Sequence, residues 1–275
     1  MLVHRVAVPV THTVPTGTTN AYLLGTRRAL LVDPPARDDE LDAVVAEHDV
    51  AHLAVTHVHP DHVGGVADYA AETGATVWAR RGHTAAFEAA TGVTPDRTLA
   101  EGCVIDTDAG PITVVETPGH AREHVAFELR VDGHEVVLCG DLAVAEGSVV
   151  VGAPDGDMRS YLTSLRRLRA RDPDRLCPGH GPPIDEPRPT IDRLLDHRLE
   201  RERRVRHAVE SGARTLEEVV DAAYDKDLSG VVDLATATVR AHLEKLAVEG
   251  DVVWTPTTGR VRPQRDGRGG VGTGG

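Results

Sequence analysis

No stretch of about 18 apolar residues occurs in this 275-residue chain, so no segment reads as a membrane-spanning helix. The first 25 residues break their apolar character at Pro9, Thr11, Thr13 and Pro15. They lack the unbroken apolar region of an export signal, and a cytoplasmic protein is expected. Cysteine is scarce: Cys103, Cys139 and Cys177 lie far apart and form no CxxC pair. That excludes a disulfide framework and fits a reducing compartment, with each thiol read as a small buried hydrophobe. Aromatic residues are 3% of the chain: Trp78, Trp254, Phe87, Phe127 and four tyrosines. Single-stranded RNA binders stack bases on such rings, so few platforms are on offer. Lysine is almost missing, with only Lys226 and Lys245 among 30 basic residues. Against 43 acidic residues these leave a net charge of −13, which on average repels a phosphate backbone.

Apolar residues make up 40% of the chain, enough for one sizeable α/β domain and a small appendage. Short apolar runs bounded by turn residues predict strands at Val6–Val10, Ala21–Leu24, Ala29–Val32, Leu53–Thr56 and Thr76–Ala79. The series continues at Val104–Ile105, Ile112–Glu116, His124–Val131, Glu135–Cys139 and Leu176–Cys177. Helical spacing predicts helices at Asp38–His48, Val66–Thr73 and Met158–Ala170. The pattern implies two sheets with helices on their outer faces. The proline-rich stretch Pro182–Pro189 breaks it, and a charged helix from Thr190 to Ser211 follows. Arginines 193, 198, 201, 203, 204 and 206 alternate there with acids, which reads as a solvated, salt-bridged helix. Beyond Gly212, Thr215 and Glu218 form a capping-box pattern ahead of a helix at Glu217–Ala223. A helix at Leu234–Val248, Gly250 and a hairpin follow, the order of a winged helix. Its expected core is Leu216, Val219, Val220, Leu234, Val239, Leu243 and Leu246. The domains expected are a catalytic domain at 1–187, a connecting helix at 188–212, a winged-helix-like unit at 213–263 and a disordered tail at 264–275.

The chemistry is concentrated in Thr56-His57-Val58-His59-Pro60-Asp61-His62-Val63-Gly64-Gly65, directly after an apolar strand. Neutral imidazole and carboxylate are ligands for borderline cations such as zinc. Four donors on a strand-to-helix loop are expected to point two ways, with His57 and His59 on opposite sides of an extended segment. Asp61 and His62 follow as the chain turns into a helix, a layout suited to two ions. Gly64 and Gly65 allow that helix to start close beneath the loop. Further donors stand just past later strand ends, each beside glycine or proline: His120 in Thr117-Pro118-Gly119-His120, Asp141 in Cys139-Gly140-Asp141, and His180 in Cys177-Pro178-Gly179-His180-Gly181.

This series of motifs, over residues 56–181, resembles the metallo-β-lactamase superfamily, and within it glyoxalase II-like hydrolases and the β-lactamase-like protein 2 family. The resemblance continues through His197-Arg198-Leu199-Glu200-Arg201-Glu202 and through Val239–Leu246 with Gly250. It implies an αββα sandwich and a C-terminal winged helix. It also implies two zinc ions, one on His57, His59 and His120, the other on Asp61, His62 and His180, with Asp141 bridging. The family usually has a glycine-containing turn after Asp33, where this chain has Pro34 and Pro35.

The expected activity is hydrolysis by a hydroxide shared between the two ions, with Asp61 assisting proton transfer to the leaving group and Asp141 coupling the metals. No Gly-x-Ser-x-Gly elbow is present. The expected substrate is a small ester or thioester. The alternative is an endoribonuclease or phosphodiesterase acting on single-stranded RNA, which the net charge disfavours. A DNA-binding regulator is disfavoured too, because Arg240, His242 and Lys245 are offset by Glu244 and Glu249. His124 is expected to support the site rather than bind metal, and His83, His197 and His207 to be surface or packing residues.

Overall fold

The computed structural model describes residues 3–12, 14, 16–225 and 228–264. The chain divides into two compact units, one of Met1–Val149 with Arg159–Leu195, the other of Val150–Met158 with Asp196–Gly275. The first unit contains β1 (Val3–Pro9), β2 (Thr18–Leu24), β3 (Ala29–Val32), α1 (Asp39–Ala46), β4 (Val50–Ala54), α2 (Pro60–Val63), α3 (Val66–Thr73), β5 (Thr76–Arg80), α4 (Thr84–Thr91) and β6 (Arg97–Leu99). It continues with β7 (Val104–Thr107), β8 (Gly110–Glu116), β9 (Val125–Val131), β10 (His134–Gly140), α5 (Met158–Arg171) and β11 (Arg175–Pro178).

β1 to β6 form one mixed sheet in chain order, and β11-β10-β9-β8-β7 form a second. Side chains alternate across a strand, and here both faces are apolar. Ala21, Leu23, Ala29 and Leu31 face a core shared with Leu41, Val45, Val66, Tyr69 and Phe87 of α1, α3 and α4. Tyr22, Leu24, Leu30 and Val32 face a second core shared with Ile112, Val114, Val125, Phe127 and Leu138 of the other sheet. α5 lies along that second sheet: Arg167 donates to the Glu116 carbonyl and Arg171 pairs with Glu128. The expected helix–sheet–sheet–helix layering is therefore present. α4 and β6 were not anticipated, because Phe87 is the only large apolar side chain of α4 and β6 has three residues.

The prolines after Asp33 sit directly under the histidine loop. Gly65 N–H donates to the Pro34 carbonyl at 2.9 Å. A Cβ on Gly64 would lie 2.3 Å from the Pro35 carbonyl oxygen, so only glycine lets α2 and α3 approach this loop.

The second unit contains most of α6 (Pro187–Glu210), then α7 (Leu216–Ala223), α8 (Val232–Glu249) and the hairpin β12 (Val252–Thr255) and β13 (Arg260–Pro263). α6 begins at Pro187, three residues before the expected start. Prolines 187 and 189 occupy its first turn, where no intrahelical N–H bond is lost. The Thr215–Glu218 capping box is formed. Val205, Val209, Val219, Val220, Val239, Leu243, Leu246, Val252 and Val261 make the core. Leu234 does not join it; it is exposed on the first turn of α8.

The reading of α6 as uniformly solvated is corrected as well. Arg203 and Arg204 do pair with Glu200 at the surface. Arg198 and Glu202 are buried, however, together with His242 and Lys245 of α8. Lys245 donates to Glu202 at 2.9 Å and to Glu249 at 2.6 Å, and His242 Nδ1 lies 3.5 Å from Glu202. His242 and Lys245 are therefore core groups and not part of a surface recognition face. The tail expected at 264–275 falls outside the described residues from Arg265 onward. No described helix is long and apolar enough to cross a membrane.

Candidate metal centre

The centre sits where strands of both sheets end. β4 leads into Thr56–His59, and Pro60 opens α2 with His59 as an extended N-cap residue. His57 and His59 turn out to share one side: His57 Nε2 lies 2.9 Å from His59 Nδ1. Residues two apart on an extended chain point the same way, so the expectation of opposite sides was wrong. The turn into α2 then aims Asp61 and His62 at a second position.

The other donors arrive from the second sheet. His120 follows β8, Asp141 follows β10 and His180 follows β11. His120 Nε2 lies 2.9 Å from His59 Nδ1, closing a group of three imidazoles. His180 Nε2 and His62 Nε2 lie 3.3 and 3.4 Å from Asp61 Oδ2, forming a second group. Asp141 stands between the groups. Its Oδ2 is 3.5 Å from His120 Nε2 and 3.4 Å from His180 Nε2, and its Oδ1 is 3.6 Å from His62 Nε2. All seven residues singled out from the sequence thus converge. Their approach depends on Gly179, where a Cβ would lie 2.5 Å from Asp141 Oδ1 and 2.7 Å from His62 Cε1.

Hydrogen bonds behind the rings decide which nitrogens face inward. His62 Nδ1 donates to Asp33 Oδ2 at 3.0 Å, and His180 Nδ1 donates to the Thr18 carbonyl at 2.9 Å. The Thr56 hydroxyl gives its one proton to Asp33 Oδ2, so it accepts from His57 Nδ1 at 3.0 Å. Nε2 of each ring is then the atom left for the centre. Asp33 also accepts Thr56 N–H at 2.6 Å and is fully buried in a left-handed conformation, φ 51°. Sequence reasoning missed Asp33 and Thr56 as supports. The available signal was a carboxylate closing the apolar strand Ala29–Val32. His124 has the expected supporting place: its Nε2 accepts Asp141 N–H at 3.1 Å, and its Nδ1 lies 2.8 Å from Thr117 Oγ1.

These residues fit a bound cation. His62 Nε2 and Asp141 Oδ1 are buried and face each other with no hydrogen-bond partner. Buried polar atoms are rarely left so. Burial and the neighbouring rings of His62 and His120 push His57 well below its usual pKa, so it stays a neutral ligand. Burial would raise Asp61 and Asp141, but His180 and His62 overcome it, holding Asp61 at about 2 and Asp141 lower still. Burial would likewise lower His180, yet its bonds to Asp141 and Asp61 hold it up at about 10. In the metal-free protein protons occupy positive positions that a cation would take over.

A pH dependence follows for the metal-free form. His180 is raised from 6.5 to about 10, so its contribution to stability is complete below 6.5 and is lost as pH rises through about 10. Asp61 is lowered from 3.8 to about 2, so its contribution is present above 3.8 and is lost as pH falls through about 2. The melting temperature of chelator-treated protein should therefore fall between pH 7 and pH 10. His180→Asn should flatten that slope. Parallel slopes in the two proteins would show that the His180–carboxylate pair is not its source.

The family model of the metallo-beta-lactamase superfamily matches residues 14–180, which include every one of these donors. The chain belongs to that superfamily. A beta-lactamase-like protein 2 homolog of Drosophila melanogaster is 31% identical over 252 residues, covering 84% of this chain and 83% of that one. An atrochrysone carboxyl ACP thioesterase of Aspergillus fumigatus is 28% identical over 238 residues, covering 78% and 71%. Among solved structures, the metallo-beta-lactamase family protein TTHA1429 of Thermus thermophilus superposes with a TM-score of 0.78 at 24% identity, over 95% of this chain and 98% of that chain. TTHA1623, solved in a di-iron-bound form, covers 69% of this chain and 96% of its own at a TM-score of 0.51 and 31% identity. The fold and the thioesterase-named relatives make this metallo-beta-lactamase-fold protein a hydrolase.

Proposed function

We propose that this protein is a dinuclear zinc hydrolase of small esters or thioesters. The observation that carries the proposal is Asp141, whose two oxygens stand between the His57–His59–His120 group and the Asp61–His62–His180 group. Nitrogen and carboxylate donors suit zinc, although the di-iron form of a relative shows that such a fold also accepts iron. Bound in these groups, the ions would acidify water to a pKa of about 7 and polarise the scissile carbonyl. The chain's own residues supply the rest. Asp61 and Asp141 hold negative charge at neutral pH, and His57 stays neutral. Asp61 is ionised, so it accepts a proton before it can pass one to a leaving group.

An acyl substrate is supported by the thioesterase names among the relatives. Six of the eight aromatic residues are buried, which removes most stacking platforms for single-stranded RNA. The helix–helix–hairpin order of α7, α8, β12 and β13 supports a winged-helix-like unit at 213–263, after a catalytic domain at 1–187 and a connecting helix at 188–212. The three free cysteines fit a cytoplasmic setting.

The purified 275-residue protein, loaded with zinc, should contain close to two ions per chain. It should hydrolyse p-nitrophenyl esters and acyl thioesters faster than bis-p-nitrophenyl phosphate or a short RNA. One ion per chain after zinc reconstitution would overturn the dinuclear centre. RNA cleavage lost in Asp61→Ala, without acyl hydrolysis, would overturn the substrate class.

A further inference from the structure

Asn20 is fully buried at a strand position whose neighbours on the same face, Tyr22 and Leu24, belong to the core between the sheets. A leucine would suit that pattern. The amide instead reaches the segment that carries His180. Asn20 Nδ2 donates to the Pro178 carbonyl at 2.9 Å and to the Gly181 carbonyl at 2.8 Å. Carbonyls only accept, so the NH2 group must face them, and Oδ1 is left to accept from Arg5 Nη1 at 3.1 Å. The Asn20 backbone N–H donates to the Gly179 carbonyl at 2.8 Å, and Tyr22 Oη donates to the Pro178 carbonyl at 2.8 Å. The same strand supplies the Thr18 carbonyl that fixes the His180 ring and the Thr19 hydroxyl that donates to Asp61 Oδ2 at 3.2 Å.

We infer that Asn20 is a positioning residue that sets the metal affinity of the Asp61–His62–His180 group and not that of the His57–His59–His120 group. The inference rests on the dinuclear reading above. Its physical basis is selectivity of contact. Asn20 holds the carbonyls on both sides of His180, whereas none of its hydrogen bonds among the described residues reaches the segments that carry His57, His59 and His120. Loss of the two side-chain bonds frees the turn that places His180 Nε2 within 3.4 Å of both carboxylates.

The test is zinc titration of the 275-residue chain against a chromophoric chelator, with thermal melting of the metal-free form as a second readout. Asn20→Asp places a carboxylate oxygen against two carbonyl oxygens in nearly the same volume. It should weaken one of the two zinc-binding steps by about 10- to 100-fold and leave the other unchanged. Tyr22→Phe removes one donor to the same carbonyl and should shift the same step less. Asn20→Ala gives a variant without added charge if Asn20→Asp folds poorly. Two unchanged steps, or equal weakening of both with a lower metal-free melting temperature, would overturn the inference while the dinuclear reading stands. A single zinc in the unmodified protein would overturn that reading and the inference with it.

Discussion

Asp141→Ala should release metal from both donor groups and lower turnover by about 10³-fold or more, the scale seen when members of an interdependent catalytic unit are removed. The two oxygens of Asp141 lie within 3.6 Å of His62, His120 and His180. It stays ionised despite full burial, because His180, His62 and His120 outweigh the burial cost. Deleting it leaves histidines from both groups around a missing anion. Elemental analysis should show less than one ion per chain after dialysis. His124→Ala should cost less. His124 is held neutral, with a pKa of about 3, by burial and by the nearby His120, and it contributes an acceptor for Asp141 N–H, a contact to Thr117 and ring packing against His57 and His120. Its loss leaves one buried N–H unpaired, worth roughly 1–3 kcal/mol. Equal losses of activity with metal content intact in both variants would mean that His124 touches the reacting atoms.

The candidate metal ligands were legible because His57, His59, Asp61 and His62 crowd into six positions after one strand, and His120, Asp141 and His180 each stand just past a later strand end beside glycine. What was not legible depends on distant pairs. Asp33 and Thr56 meet across 23 positions. Asn20 meets the His180 loop across about 160 positions, and neither chain segment hints at the other. Charge patterning on α6 described its exposed arginines well. It could not show that Arg198 and Glu202, four apart on one face, would be buried with Lys245, 43 positions beyond Glu202. Leu234 erred in the opposite sense: its spacing fits the α8 stripe, but the first turn of that helix is exposed. Local patterns name the element; which surface covers it is decided by topology.

Asp33→Asn should preserve the fold and remove His62 from the centre, whereas Asp33→Ala should damage the fold itself. The Asp33 carboxylate accepts three buried hydrogen bonds, from Thr56 N–H, the Thr56 hydroxyl and His62 Nδ1. Alanine satisfies none of them and also disfavours the left-handed φ of 51°. Bonds to a charged acceptor are worth roughly 1.5–3 kcal/mol each, and a domain has only about 5–15 kcal/mol to lose. A fall in melting temperature on the order of 10 °C is therefore expected for Asp33→Ala. Asparagine tolerates the left-handed region and can still accept Thr56 N–H through its one oxygen. Its NH2 then occupies the place of Oδ2 and donates to the Thr56 hydroxyl, whose second lone pair still accepts from His57 Nδ1. His62 must answer by changing tautomer, so that Nδ1 becomes the acceptor and Nε2 carries the proton. That proton points at Asp141 and Asp61, where a metal would need a lone pair. Asp33→Asn should thus melt close to the unmodified protein in the metal-free form, weaken one of the two proposed metal-binding steps by about 10- to 100-fold, and lose roughly 10²-fold or more in turnover. Full metal content and unchanged turnover in Asp33→Asn would show that the carboxylate serves the backbone turn alone and does not orient the ring.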